Sequence, residues 1–168
     1  MAQILVIASG KGGVGKSTLT AGLSCALVGM GKRVLAADFD IGLRGLDLML
    51  GAGDRVVFDW GDVLTGRCAL AQALLETRGS ALLASPARWN DAFTPEAVCA
   101  LIRGAQADYD YVLIDAPAGI GNGFSLAASA ANAGIVVATP DEVCVRGAAA
   151  AGRRLAEDHG IESRLVIN

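Results

Sequence analysis

Apolar residues fall along the sequence in short continuous runs, each of which ends on a small or acidic residue. Ile4-Leu5-Val6-Ile7-Ala8 runs into a glycine-rich stretch, and Val34-Leu35-Ala36-Ala37 ends at Asp38. Val112-Leu113-Ile114 ends at Asp115, and Ile135-Val136-Val137-Ala138 ends at Thr139-Pro140. Runs of this length without polar alternation predict strands buried on both faces. Strands are expected at 4–8, 33–38, 80–84, 111–115, 134–138 and 164–168.

The stretches between them read as helices. Leu19, Leu23 and Leu27 recur at helical spacing, and Gly31 stands at a natural helix end. Short helices are predicted at 56–64 and 69–75. Thr94-Pro95-Glu96 opens the next helix with a capping hydroxyl, a proline in the first turn and an acid near the positive end. An alanine-rich helix follows to about residue 131, and another runs from Asp141-Glu142 to near Asp158, closed by Gly160. Strands alternating with helices predict βαβ units and a mostly parallel, doubly wound α/β sheet with helices on both faces. With 168 residues, no linker and no repeat, the protein is expected to form a single domain over 1–168.

Ser9-Gly10-Lys11-Gly12-Gly13-Val14-Gly15-Lys16-Ser17-Thr18 lies between the first strand and the first helix. Gly10, Gly15, Lys16 and Ser17 fit the pattern G-x-x-x-x-G-K-[ST], in which small residues let backbone N–H groups curl around phosphate oxygens at a helix start. A lysine there opposes the helix dipole unless an anion is present. Lys16 is expected to reach the outer phosphates and the Ser17 hydroxyl to hold Mg²⁺. In parallel sheets ligands sit beyond the carboxyl ends of the strands. Asp38, Asp40, Asp115, Thr139-Pro140 and Asn168 all fall there, so one phosphate site built by several strands is predicted. Asp115 is expected in the magnesium shell, Asp38 beside it, and Asp40 as the group orienting an attacking water. Asp47 reads as a helix cap or solvated acid.

Composition narrows the alternatives. Hydrophobic residues make up 53% and aromatic residues 5%, which suits buried strands and close-packed aliphatic helices. The net charge of −3 argues against an electrostatically driven affinity for nucleic acid or anionic membrane, and no nucleic acid is expected. No apolar run approaches a membrane span, and the start of the sequence has no signal-peptide pattern. Cys25, Cys68, Cys99 and Cys144 are widely spaced and are expected to be reduced, in a cytoplasmic protein. His159, the one histidine, is expected near a helix end in a structural role, and Trp60 and Trp89 as packing anchors.

Only three of the protein's fourteen basic residues are lysines, and Lys11 and Lys16 both sit in the glycine loop. That loop resembles the deviant Walker A group of P-loop NTPases, the MinD/ParA family, whose loop reads K-G-G-x-G-K-[ST]. The stretch from Asp38 to Gly51 and the sequence Asp115-Ala-Pro-Ala-Gly-Ile are similar to the two switch segments of the septum-placing branch of that family. The resemblance implies an ATPase using ATP and Mg²⁺, in which Lys11 reaches across a homodimer formed in the ATP state and Asn168 contacts adenine. It implies a division inhibitor and an activating regulator as partners. It also implies peripheral attachment to the inner face of the cell membrane through a carboxyl-terminal helix that this sequence lacks, so that the protein reads as truncated. Related flagellar or chromosome positioning ATPases, and a nucleotide-binding module without turnover, are the alternatives. Gly45 and Gly147 stand where the group has asparagine and an acid. The iron-sulfur relatives carry a cysteine shortly after the second switch, and residues 116–130 contain none.

Overall fold

The computed structural model describes residues 2–168. It contains strands β1 (Gln3–Ala8), β2 (Val34–Asp38), β3 (Leu74–Glu76), β4 (Ala81–Leu83), β5 (Tyr111–Asp115), β6 (Ala133–Ala138) and β7 (Ser163–Ile167). The helices are α1 (Lys16–Gly29), α2 (Leu46–Met49), α3 (Trp60–Leu64), α4 (Leu70–Ala73), α5 (Pro95–Ala105), α6 (Asn122–Ala128) and α7 (Glu142–His159).

One seven-stranded sheet runs in the order β3-β4-β2-β5-β1-β6-β7, with every pairing parallel except β3 with β4. β2 and β4 are buried along their whole length and β5 along all but its first residue. That accounts for the unbroken apolar runs: helices cover both faces, so there is no solvated side to call for alternation. After β1 the path passes leftward over β5 to β2 through α1, and after β5 it passes rightward over β1 to β6 through α6. Right-handed crossovers therefore put α1 on one face and α5, α6 and α7 on the other. A smaller apolar cluster under α2, built from Ala36, Leu46, Leu50, Ala52 and Leu82, completes the α1 face. On β7, Leu165 and Ile167 are more than half exposed.

Three local expectations need correction. The stretch 69–75 forms one helical turn and then turns outward as β3, pairing antiparallel with β4 through the turn where Thr77 N–H donates to the Ser80 carbonyl. Strand pairing outweighs the helix preference of Ala, Leu and Gln there. The helix predicted from 56 starts only at Trp60, where Asp59 and Asp62 form a reciprocal capping box. Trp89 is no interior anchor: it is 47% exposed and rests edge-on against Phe93, whereas Trp60 is fully buried. His159 does close α7, and Gly160 follows with φ +66°. All four cysteines are free.

Candidate phosphate-binding site

β1 leads into the glycine loop at the centre of the sheet. Gly13 and Gly15 have φ of +78° and +95°, a conformation that costs a residue bearing a side group about 1–2 kcal/mol. Gly10 is required for a different reason, since a Cβ there would lie 2.2 Å from the backbone carbonyl carbon of Gly147 in α7. α1 then begins at Lys16 with no capping side group and no acid in its first turn. Apart from Val14, which closes a turn over residues 12–13, none of the backbone N–H groups of residues 12–18 makes a backbone hydrogen bond among the described residues. A helix start left this way is set to receive an anion.

Around the loop the predicted residues converge. Lys16 is buried and acts electrostatically on both Asp40 and Asp115. Burial raises the Asp115 carboxyl, opposed by a hydrogen bond from the Ser17 hydroxyl and then by the charge of Lys16. Thr20, fully buried, reaches the same carboxylate at 3.2 Å while lying 3.0 Å from the Lys16 carbonyl. Asp40, half-buried, is also raised by desolvation and lowered by Lys16. Asp38 is raised furthest, to about 6, because burial and the neighbouring charges of Asp115 and Asp40 outweigh two backbone donors. Three acids, one buried lysine and a serine hydroxyl thus lie close together at the carboxyl ends of β2 and β5 and the start of α1.

Asp38 does more than the sequence implied. Its Oδ1 accepts the Asp40 N–H at 2.8 Å and its Oδ2 accepts the Leu46 N–H at 3.1 Å. The carboxylate staples the loop between β2 and α2, whose path also needs the positive φ of Gly42 and Arg44. α2 itself was not legible as a helix. Asp47 lies in its first turn, is buried, accepts the Leu48 N–H and stands 3.7 Å from Arg44, so it is not a solvated acid.

Lys11 is exposed at the rim of the loop, beside Gly12 and Gly13. Val14 is buried under the loop, and Thr18 faces outward from the first turn of α1. Asn168 follows β7 and donates from Nδ2 to the Val14 carbonyl at 3.1 Å, closing one end of a groove lined by Gly15, Thr18, Leu19 and Val166. Among the described residues no group of three His, Cys, Asp or Glu side groups could ligate a metal by itself. A cation here would draw on the Ser17 hydroxyl, Asp115 and phosphate oxygens instead, which this donor set fits.

A glycine loop between a central parallel strand and an uncapped helix, with a buried lysine and strand-end acids around it, defines a P-loop nucleotide-binding protein. The family model described as "ParA: NUBPL iron-transfer P-loop NTPase" matches residues 1–162, and the chain belongs to the ParA family. It is 47% identical over 150 residues to the septum site-determining protein MinD of Helicobacter pylori, aligning with 87% of this chain and 56% of that one. It is 42% identical to the Bacillus subtilis protein of the same name, aligning along its full length with 65% of that relative. Among solved structures, MinD of Pyrococcus horikoshii with Mg-ADP superposes with a TM-score of 0.90 at 34% identity, covering 100% of this chain and 70% of that one. The MinC:MinD complex of Aquifex aeolicus gives 0.89 at 38%, covering 99% and 68%. The protein thus spans between half and two thirds of the length of these curated relatives.

Proposed function

We propose that the protein is a Mg²⁺-dependent ATPase of MinD type, a nucleotide-timed switch acting in division-site placement. The observation that carries the reading is the set of backbone N–H groups at residues 12, 13 and 15–18 left without a backbone partner around buried Lys16, with Ser17, Asp115 and Asp40 grouped beside it. Phosphoryl transfer to water needs the outer phosphate held, its charge neutralised and a water aligned. Gly10, Gly12, Gly13, Val14, Gly15 and Thr18 supply backbone donors or shape, and Lys16 neutralises. Magnesium would be held by Ser17 and, through water, by Asp115 and Asp38, and it would spread the charge developing on the phosphates. Asp40 orients the attacking water. Lys11, exposed at the rim, completes the site of a second copy in the ATP state, and Asn168 meets the adenine in the groove beside α1.

The relatives whose names carry septum-site determination, and the solved complex with MinC, support a MinC-like division inhibitor as partner. An activating regulator and membrane-peripheral action belong to the same reading. No helix among the described residues is long and apolar enough to cross a membrane. Iron carriage, which the family model's description mentions, lacks support in residues 116–130, where there is no cysteine.

The test is phosphate release from ATP by the purified protein, with Lys16→Ala and with magnesium chelated. Turnover that disappears in both supports the reading; turnover that survives Lys16→Ala rejects it.

A further inference from the structure

We propose that Trp60 is a positioning residue for the segment carrying Asp40, acting through its indole N–H and its stack on Phe39. The proposal rests on the reading of Asp40 as the water-orienting group, and adds what holds that group in place.

The Asp38–Phe39 peptide unit is gripped at both ends. Its N–H, from Phe39, donates to the Asp115 carbonyl at 2.9 Å, which continues the β2–β5 pairing one residue past β2. Its carbonyl, from Asp38, accepts the Trp60 Nε1–H at 2.8 Å. Rotation of this one peptide would swing Asp40, the next residue but one, away from Lys16. The Asp38 carboxylate adds the third restraint by accepting the Asp40 N–H. Without the indole, the Asp38 carbonyl would be a buried acceptor with no donor beyond the strand end.

A fully buried indole N–H needs an acceptor, and which backbone group supplies it ties the ring to that group's position. Trp60 has both its N–H groups committed to strand ends: the indole to the carbonyl of Asp38, the last residue of β2, and the backbone N–H to the Ala84 carbonyl just after β4 at 3.1 Å. Its ring stacks on Phe39 with centroids 4.9 Å apart and planes at 19°, and meets Phe93 edge-on at 4.6 Å. Gly61 makes this seat possible, since a Cβ there would come within 2.8 Å of Phe93 Cζ and 3.0 Å of Pro86 Cβ. The capping box of Asp59 and Asp62 fixes the start of α3, and so the height at which Trp60 enters. The position of Asp40 is therefore set from a helix about twenty residues further along, outside the glycine loop and both switch segments.

Trp60→Phe keeps a ring against Phe39 and deletes only the donor. Amide exchange should accelerate about 3- to 10-fold at Asp40 and Leu46, the two N–H groups held by Asp38, with β1 and β5 amides unchanged. In ATP hydrolysis kcat should fall about 3- to 10-fold at unchanged KM and unchanged ADP affinity, and adding Trp60→Phe to Asp40→Asn should cost nothing more. A purely structural role predicts faster exchange throughout the sheet and losses that add. Phe39→Leu, which keeps the indole bond and removes the stack, should give the same pattern more weakly and serves if Trp60→Phe does not fold. Wild-type exchange at Asp40 and Leu46 in Trp60→Phe overturns the proposal whether or not the protein hydrolyses ATP. Absence of turnover in the wild type rejects the ATPase reading alone, and the exchange data still decide this one.

Discussion

Replacing Gly10 by alanine probes the contact on which the phosphate loop is built. The added Cβ would lie 2.2 Å from the carbonyl carbon, 2.3 Å from the carbonyl oxygen and 2.4 Å from the Cα of Gly147. Ordinary contact needs roughly 3.5 Å, so the loop and α7 must part by about 1.3 Å, and no flexible side group is there to turn aside. Overpacking of this kind costs about 1–3 kcal/mol where side groups can adjust, and backbone against backbone belongs at or above the upper end. The reverse change is milder. A Cβ on Gly147 would meet Gly10 at 3.2–3.5 Å, and alanine inside α7 recovers about 1 kcal/mol of helix preference. Gly10→Ala should therefore lower stability by about 3 kcal/mol in urea unfolding and weaken binding of a fluorescent ADP more than about tenfold, while Gly147→Ala stays within about 1 kcal/mol of wild type. Equal effects of the two changes, or wild-type ADP affinity in Gly10→Ala, would refute the claim that this backbone contact shapes the site.

The remaining predictions concern the acids and the helix that carries Trp60. Asp38 keeps its proton to about pH 6 when folded, against an ordinary 3.8, so the folded state binds more protons between those values and stability contributed by this group falls as pH rises through the window. Asp38→Asn should flatten that fall in nucleotide-free protein, seen as a wild-type-minus-variant difference in unfolding free energy that changes between about pH 4 and about pH 7; a constant difference contradicts it. Thr20→Val removes the hydroxyl beside the buried Asp115 carboxylate and should cost about 1–2 kcal/mol in urea unfolding. Asp59→Ala breaks the capping box of α3 and should cost about 1 kcal/mol; in a Trp89→Phe background, where Trp60 is the sole tryptophan, it should also shift the emission to the red.

What the sequence revealed depends on whether the signal was local. β1, β2, β5 and β6 were legible because burial on both faces leaves unbroken apolar runs, and the strand-end acids and glycine loop stand out against them. β3 was not legible, because Ala69–Leu75 has the composition of a helix and becomes a strand at Leu74 only through pairing with β4. α2 was hidden for a similar reason: the donor that helps start it, the Leu46 N–H, is satisfied by Asp38 eight residues earlier. Asp38, Asp40, Asp115, Ser17 and Lys16 were found as a group from their positions at strand ends and in the loop. The roles of Thr20 and Trp60 were missed, since a threonine inside a helix and a tryptophan after an aspartate carry no signal until the fold puts them beside Asp115 and Asp38. Gly147 was noted only as a missing side group, whereas the structure shows its backbone to be the surface that Gly10 packs against.

The most direct test of the switch reading is light scattering coupled to size-exclusion chromatography on the protein with Mg-ATP and with Mg-ADP, alongside Asp40→Ala and Lys11→Ala. A monomer that becomes a dimer only with ATP, more completely in Asp40→Ala and not at all in Lys11→Ala, is the predicted result. A single oligomeric state in every nucleotide condition, or an ATP dimer indifferent to Lys11, would contradict it.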